Sequence, residues 1–185
     1  MSKKIYISAN AYLLDSFRLA RRILDSGWLP DDLIVLWRGG APVGMAIHEF
    51  LSYHGLRPRH RTLKCYSYTG IRTHREEVAF ENADAVFSSV TPGSRVLVVD
   101  DVFDTGNTAR AVLDRLAPSG AETRLATVYW KPNRNQTSGK PDFYLHETDE
   151  WIVFPHELEG LTPAEVHRKD PALHALLKSP ASQPR

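Results

Sequence analysis

The sequence predicts a single α/β domain with a mainly parallel central sheet and helices on both of its faces. Two observations lead to this class. Short, continuous apolar runs such as DLIVLW and RVLVV alternate with segments of helical periodicity, and a turn containing glycine follows each of these runs closely. Strands without polar alternation are buried on both sides, which requires a helix layer on each face of a parallel sheet.

The composition fits one folded domain that binds a small ligand. Of the 185 residues, 42% are hydrophobic and 24% are charged, and the net charge is only +1. Such a balance gives no field that would gather nucleic acid or an anionic membrane. The single cysteine, Cys65, fits a reducing compartment, and the N-terminal apolar run is broken too early for a signal peptide. We therefore expect a cytoplasmic protein without a membrane partner.

The first elements follow from helix signals and apolar runs. Apolar side chains recur near helical spacing over residues 10–27, with Ser8 or Asn10 as the N-cap. The run over residues 32–37 predicts a strand. After a glycine loop, residues 42–54 have the pattern of a helix.

The middle of the chain repeats this unit. Residues 61–68 predict a strand, and the polar segment over 69–77 is expected to be a mobile loop or ribbon. A second strand and helix cover residues 95–101 and 108–116. A further strand is predicted over 123–130.

The last third of the chain has a different character. Two short apolar runs, over residues 142–145 and 151–154, are expected to form a small flap, or hood, over the sheet edge. The predicted domain covers residues 1–160 and includes this flap from about residue 131. Residues 161–185 are expected to form a helical tail.

A capping box marks the start of that tail. In LTPAEV, Thr162 is the expected N-cap, Pro163 occupies the first helical position and Glu165 lies three residues after the cap. The final residues, 179–185, are expected to fray.

The stretch RVLVVDDVFDTGNTAR carries the clearest chemistry. At a junction between a strand and a helix, Gly106 lets backbone amides approach a phosphate, Thr105 and Thr108 add hydroxyl donors, and the helix dipole favours an anion. Asp100 and Asp101 would repel the same phosphate, so they require hydroxyl donors or a hard cation such as Mg²⁺. A sugar phosphate meets both requirements.

Other families with parts of this string fit less well. Aspartic proteases use Asp-Thr-Gly, but in β-rich chains and in two copies. A phosphate-binding nucleotidase loop would need a lysine after Gly44, where this chain has Met45, and the dinucleotide pattern Gly-x-Gly-x-x-Gly is missing. A purely structural alternative is a solvated strand end with Asp104 as a helix cap.

The longer string VLVVDDVFDTGNT resembles the phosphoribosyl pyrophosphate (PRPP) signature of the type I phosphoribosyltransferases. The resemblance extends over roughly residues 32–157. LWRGGAPVG resembles the loop that holds the pyrophosphate of the donor, with a cis peptide implied at Arg38-Gly39. CYSYTG resembles the flexible catalytic loop, with Ser67 and Tyr68 as its serine and tyrosine pair.

Three later residues indicate the base. YWKP, DFY and DEWIVFP are similar to the recognition region of enzymes that act on hypoxanthine, guanine or xanthine. Lys131 can donate to a 6-oxo group but not to the amino group of adenine, Trp151 can stack on a purine, and Ile152 offers backbone groups to its edge. Taken alone, Trp151 would be read as a core residue and Lys131 as a solvated loop residue.

The resemblance implies a purine salvage enzyme that joins a 6-oxopurine to PRPP and releases pyrophosphate, with Mg²⁺ as cofactor. It implies Asp104 as general base or hydrogen-bond partner at purine N7, the loop of Ser67 and Tyr68 as a lid, and Asp101 and Glu157 as metal contacts. The PRPP-binding residues implied are Arg38, Gly39, Gly40, Asp100, Asp101, Thr105, Gly106, Asn107 and Thr108.

Some points stay open at the level of sequence. FPHELEG has His156 and Glu157 where related bacterial and archaeal enzymes often have Trp-Asp, so the choice among the three 6-oxopurines is undecided. One rival is a regulator that kept this fold and binds RNA or DNA, and another is a phosphoribosyltransferase for adenine or a pyrimidine. The resemblance also implies a homodimer or homotetramer.

Overall fold

The computed structural model describes residues 3–69, 76–81 and 83–178, except for the side chains of residues 67–69, 76 and 77. This part of the chain forms eight strands and six helices. The strands are β1 (Lys4–Tyr6), β2 (Asp32–Trp37), β3 (Arg59–Thr69), β4 (Glu76–Glu81), β5 (Arg95–Phe103), β6 (Glu122–Trp130), β7 (His146–Glu147) and β8 (Trp151–Val153). The helices are α1 (Ala9–Asp25), α2 (Gly40–Tyr53), α3 (Ala83–Ser88), α4 (Asn107–Leu116), α5 (Pro163–Lys169) and α6 (Pro171–Lys178).

Six strands form one sheet in the order β4-β3-β2-β5-β6-β7. All neighbours in it run parallel except β3 and β4, which are antiparallel. The predicted mainly parallel sheet is therefore confirmed. In the polar segment predicted over 69–77, residues 76 and 77 belong to a ribbon with β3, and residues 70–75 lie outside the described part of the chain.

Helices cover both faces of this sheet. Successive side chains of β2 point to opposite faces, and Ile34 packs in one buried cluster with Ala109 and Val112 of α4. Val35 points to the other face, where a Cβ atom on Gly44 of α2 would lie only 2.4 Å from Val35 Cγ2. Glycine at this position lets α2 lie close against β2. The run DLIVLW is continuously apolar because helices cover it from both sides.

The chain divides into two compact units. The terminal unit comprises Met1–Tyr12 and Glu150–Arg185, and the central unit comprises Leu13–Asp149. This division does not test the predicted boundary between residues 160 and 161, which stays a prediction. None of the helices in the described part has the length and apolar character needed to cross a bilayer.

In the terminal unit, β1 and β8 form a parallel pair and α5 begins with the predicted capping box. Thr162 accepts a hydrogen bond from the Glu165 amide, and Glu165 accepts one in return from the Thr162 amide at 2.9 Å. The Lys4 ammonium donates to Glu165 at 2.5 Å. The hydrogen bond from Lys4 and those from Thr162 lower the pKa of Glu165 to about 2. At the start of α1, Ser8 rather than Asn10 is the cap, since its hydroxyl accepts from the Ala11 amide.

The apolar run over residues 142–145, expected to be part of a flap, forms no regular strand. The carboxylate of Asp142 accepts from the Leu125 amide at 2.8 Å, and the Asp142 and Phe143 amides both donate to the Leu125 carbonyl. A side chain therefore takes a place that a ladder hydrogen bond would occupy, and only one bridge, between Phe143 and Ala126, forms there. The regular strand β7 begins later and extends the main sheet beside β6, whereas β8 pairs with β1.

Candidate active site

The junction of β5 and α4 lies in the middle of the central sheet. Its turn needs glycine at position 106, because Gly106 has φ +82°, a conformation that other residues rarely adopt. A Cβ atom there would also lie 2.6 Å from Thr137 Oγ1 and 2.7 Å from Phe103 Cζ. Gly106 is the N-cap of α4, and no side chain caps this helix. The alternative reading of Asp104 as a helix cap is therefore wrong.

A cavity of about 230 Å³ opens at this junction. Of the predicted phosphate-binding residues, Thr105, Gly106 and Thr108 line the cavity, whereas Asn107 does not. The Asn107 amide lies 3.4 Å from the Thr105 hydroxyl, and the Asn107 side chain lies 3.5 Å from Gln136. The turn thus places two hydroxyls and the start of a helix around one hollow, an arrangement suited to an anion.

Two adjacent carboxylates, Asp100 and Asp101, form another wall of the cavity. The Asp101 side chain is buried, and its amide donates to Asp100 Oδ1 at 2.9 Å. Burial and the neighbouring Asp101 carboxylate raise the pKa of Asp100 well above its usual range. In the described part of the chain, no three His, Cys, Asp or Glu side chains are arranged to hold a metal ion. Carboxylates at this position can accept hydrogen bonds from hydroxyl groups of a ligand or contact a hard cation such as Mg²⁺.

The glycine loop after β2 reaches the same carboxylates. A Cβ atom on Gly39 would lie 2.2 Å from Asp101 Oδ2, and one on Gly40 would lie 2.5 Å from the Val99 carbonyl oxygen. Two motifs that are far apart in sequence are therefore in direct contact. The cis peptide bond of this loop is Trp37-Arg38, one bond before the predicted position. Gly39 already has helical torsion angles, so the irregular backbone of the loop comes before it.

Asp104 lies between two cations. Lys131 Nζ donates to Asp104 Oδ2 at 2.9 Å, and Arg134 Nε donates to Asp104 Oδ1 at 2.6 Å. Burial acts to raise the pKa of Asp104, but the hydrogen bonds from Arg134 and Lys131 outweigh it and the pKa is lowered. Lys131 is buried, so its alternative reading as a solvated loop residue is wrong. Asp104 is thus held as an anion beside the cavity.

A short turn after β6 positions both cations. The Lys131 amide donates to the Phe103 carbonyl at 2.9 Å, and Pro132–Arg134 forms one turn of 3₁₀ helix. Asn133 ties this turn to Asp149, because its amide and its side chain both donate to the Asp149 carboxylate. Arg134 was not predicted from the sequence, because a single arginine in a polar loop gives no signal of its partner.

A second residue that the sequence argument missed is Thr127 on β6. Its side chain is almost fully buried, and the residue lines the cavity next to Asp100, its partner in the register of β5 and β6. Within the described residues, its hydroxyl has no hydrogen-bond partner. Thr127 therefore adds a polar group to the wall near the two carboxylates. One threonine in the predicted strand over 123–130 carried no signal of this role.

The predicted catalytic loop is only partly described. The backbone of Ser67 and Tyr68 lies in β3, but their side chains are outside the described part of the structure, as are residues 70–75. Cys65 on the same strand pairs with Phe80 of β4. Burial of its thiol raises the pKa of Cys65 to about 12, so it is a poor nucleophile.

The remaining predicted residues belong to the terminal unit. Trp151 is 53% exposed, so its alternative reading as a core residue is wrong, whereas Ile152 is buried. The Glu157 carboxylate accepts from the Phe154 amide at 3.2 Å, and its carbonyl accepts from Lys169. The cavity is lined by residues of the central unit, so the roles of Trp151, Ile152 and Glu157 stay predictions.

Known proteins with similar sequences include xanthine-guanine phosphoribosyltransferases. The chain is 32% identical to xanthine-guanine phosphoribosyltransferase from Desulfotalea psychrophila over 150 residues, which cover 79% of this chain and 81% of that enzyme. It is 46% identical to the enzyme of the same name from Chromohalobacter salexigens over 70 residues, but this match spans only 38% of that relative.

Solved structures agree with these sequence matches. A purine phosphoribosyltransferase from Pyrococcus horikoshii superposes with a TM-score of 0.67 and 27% identity, covering 86% of this chain and 97% of that one. A hypothetical protein from Neisseria gonorrhoeae with bound ppGpp superposes with a TM-score of 0.72 and 25% identity, covering 93% and 98%. Residues 8–161 match the phosphoribosyl transferase domain family. The resemblance in the sequence is thereby confirmed, and the chain belongs to the phosphoribosyltransferase family.

Proposed function

We propose that this phosphoribosyltransferase converts a 6-oxopurine and PRPP to the nucleoside 5′-monophosphate and pyrophosphate, as a purine salvage enzyme. The observation that carries the proposal is the position of Lys131 and Asp104, an ammonium donor and a carboxylate acceptor side by side next to the anion-suited cavity. A 6-oxopurine presents an acceptor at O6 and an N–H at N7 on one edge, which matches this pair. The names of the relatives point to the same bases.

The 5′-phosphate of PRPP fits the turn between β5 and α4. Thr105 and Thr108 offer hydroxyls, and the uncapped start of α4 offers backbone amides and the positive end of its dipole. Asn107, which points to Gln136, contributes through its backbone in this proposal. The 5′-phosphate of PRPP occupies this hollow.

The ribose hydroxyls lie at Asp100 and Asp101. Mg²⁺ fits this donor set, because it is usually bound by one or two carboxylates together with substrate phosphates and waters rather than by a cage of side chains. Bound there with PRPP, it would neutralise charge on the departing pyrophosphate. Asp101, with Glu157 as a second contact, holds the metal in this proposal. Arg38, Gly39 and Gly40 hold the pyrophosphate.

Asp104 acts at the purine. As the bond from C1′ to pyrophosphate breaks and the bond from N9 to C1′ forms, the purine must lose the proton from N7, and the anionic Asp104 accepts it or holds it in a hydrogen bond. Lys131 donates to O6. Trp151 stacks on the base, and Ile152 meets its edge through backbone groups. The loop carrying Ser67 and Tyr68 acts as a lid that excludes water.

The first test is product formation with PRPP and Mg²⁺ against hypoxanthine, guanine, xanthine, adenine, uracil and orotate. We expect turnover only with the three 6-oxopurines, and their ranking shows how His156 and Glu157 affect base choice. Turnover with adenine or a pyrimidine would contradict the role of Lys131. PRPP binding without turnover of any base would favour the regulator that binds RNA or DNA.

The substitution Asp104→Asn tests the proton acceptor. We expect it to lower kcat by about a hundredfold, the scale of general acid-base catalysis, with the KM for PRPP little changed. Asp31→Asn is the matched control, since Asp31 also accepts hydrogen bonds from an arginine, Arg95, and also has a lowered pKa. Wild-type turnover by Asp104→Asn would remove Asp104 from the catalytic role.

A second candidate function is regulation by ppGpp. The neighbouring structure from Neisseria gonorrhoeae contains this nucleotide, and its phosphate groups are of the kind that the hollow at Gly106 suits. We expect ppGpp to raise the KM for PRPP without changing kcat. Binding of ppGpp without competition against PRPP would contradict a shared site.

We also propose a homodimer or homotetramer in the cytoplasm. The family resemblance supports the oligomer, and the single cysteine supports the compartment. Light scattering on the purified protein measures the oligomeric state, and a monomer at micromolar concentration would contradict the proposed oligomer. Fractionation of the source cells shows the compartment.

A further inference from the structure

We propose that Arg134 is a positioning residue, which holds Asp104 in place and ionised when Lys131 turns to the base. The proposal rests on the proposed function. Asp104 has two carboxylate oxygens, and each has its own cation, Lys131 on Oδ2 and Arg134 on Oδ1. The two contacts are separate, so one can break while the other persists.

Lys131 alone cannot serve both partners equally well. Lys131 is 6% exposed, and its ammonium donates to Asp104 in the absence of a base. When a 6-oxopurine binds, the ammonium must also donate to O6. It has three N–H donors, but one buried position must then serve two acceptors, and the contact with Asp104 weakens. A carboxylate that loses its partner in a partly buried site becomes harder to keep ionised. A second cation on the other oxygen removes this conflict.

Arg134 is placed for that task by its turn. Its amide donates to the Lys131 carbonyl at 3.2 Å, and Asn133 ties the turn to the Asp149 carboxylate. Arg134 is therefore anchored by the backbone independently of the Lys131 side chain. The planar guanidinium of arginine also fixes the direction of the oxygen that it contacts, which an ammonium does less well.

The charges around Asp104 set the direction of the pH effect. Arg134 and Lys131 face it and lower its pKa, and Asp149 acts on Arg134. Asp100 and Asp101 lie on β5, which ends at Phe103, the residue before Asp104. Removing the positive charge of Arg134 raises the pKa of Asp104. Activity that needs the Asp104 anion is then lost at a higher pH than in the wild type.

The experiment compares Arg134→Gln and Arg134→Lys with Arg95→Gln, a control that removes an arginine from another carboxylate, Asp31, of the central unit. The Asp104 carboxyl is titrated by carbon NMR in the ligand-free protein. The value of kcat/KM for the base is measured at saturating PRPP from about pH 3 to 9, because the pKa of Asp104 is lowered and its titration lies at the acid end of this range. The unfolding free energy of each variant is measured beside these.

For Arg134→Gln we expect Asp104 to titrate at a higher pH, and the loss of kcat/KM at low pH to shift upward by the same amount. At neutral pH we expect kcat/KM for the base to fall about tenfold, with little change in the KM for PRPP. In Arg134→Lys the pKa of Asp104 should return most of the way to its wild-type value, whereas kcat/KM should recover only in part. Arg95→Gln should change neither.

The proposal is overturned if Asp104 titrates at the same pH in Arg134→Gln as in the wild type. It is also overturned if the Asp104 titration shifts while the pH profile of kcat/KM does not. If wild-type protein turns over no base at all, the proposed function fails, and the positioning role for that reaction fails with it. The NMR titration distinguishes the two cases, because it shows whether Arg134 holds Asp104 regardless of activity.

Discussion

Two helix starts in this chain differ in what satisfies their first amides. At α5, Thr162 and Glu165 form a complete capping box, so side chains of the chain itself serve those amides. At α4 the cap is Gly106, and no side chain caps the helix. The first arrangement is closed and stabilises a local structure. The second leaves hydrogen-bond donors beside a cavity, which suits the binding of an anion.

The start of α2 extends this comparison within the proposed site. Gly39 is its cap, again without a side-chain cap, and Gly40 follows. The glycines of the two site helices meet different demands, however. Gly40 is required by close contact with backbone atoms, whereas Gly106 is required by both its torsion angle and its contacts. Substitutions at these caps should therefore differ in size and in kind.

The largest effect is expected for Gly40→Ala. Its Cβ atom would lie 2.5 Å from the Val99 carbonyl oxygen and 3.0 Å from the Asp100 Cα atom, and backbone in the middle of a sheet cannot move aside easily. We expect a loss of about 3 kcal/mol in unfolding free energy, measured by urea denaturation. Gly139→Ala is the control, because its nearest contact would be 3.7 Å away. Wild-type stability of Gly40→Ala would refute the contact argument.

Gly106→Ala should cost about 2 kcal/mol, from its left-handed conformation and from contacts with side chains that can shift. Gly27→Ala separates these two causes, since Gly27 has φ +74° and nothing within 4 Å of its Cβ position. We expect about 1 kcal/mol for this control. Only Gly106→Ala should also raise the KM for PRPP. An equal cost for both variants would show that the contacts with Thr137 and Phe103 contribute nothing.

Thr162→Ala at the closed helix start should cost about 1 kcal/mol, the usual value for a lost N-cap, and leave the KM for PRPP unchanged. Urea denaturation and PRPP kinetics on the same sample measure both quantities. A change in PRPP binding would mean that the contrast between closed and open helix starts does not separate stability from ligand binding.

The smallest effect is expected for the pH dependence of the stability that Glu165 contributes. Because the folded pKa of Glu165 is lowered from 4.5 to about 2, its contribution to stability is complete above about pH 4.5 and is lost as the pH falls through 2. Wild type should exceed Glu165→Gln in unfolding free energy at pH 6, and the difference should shrink toward pH 2. A difference that stays constant over this range would argue against the ionised capping box.

The features that sequence reasoning predicted are local ones. The turn between β5 and α4 and the capping box of α5 each lie within a short segment, where residue type and spacing determine the geometry. The missed features depend on partners far along the chain. Arg134 meets Asp104 across 30 positions, and Asp142 replaces a ladder bond of Leu125 across 17. No local pattern encodes such pairs, because tertiary packing brings them together.

The glycine loop after β2 combines a feature that the local sequence predicts with one that it does not predict. Its family resemblance located the segment, yet the cis bond lies one position earlier than expected. Nothing in the residue types distinguishes the bonds on either side of Arg38. Gly39 lies close to Asp101, a contact between segments that are far apart in the sequence.

The thiol of Cys65 offers a way to follow local opening of the core next to β3. Burial raises the pKa of Cys65 to about 12, so very little of its reactive thiolate is present near neutral pH. Its side chain packs against the buried cluster of the central unit, so alkylating reagents should react slowly until that packing opens and water reaches the sulfur. As the chain has one cysteine, the rate of mass labelling reports the exposure of this one position.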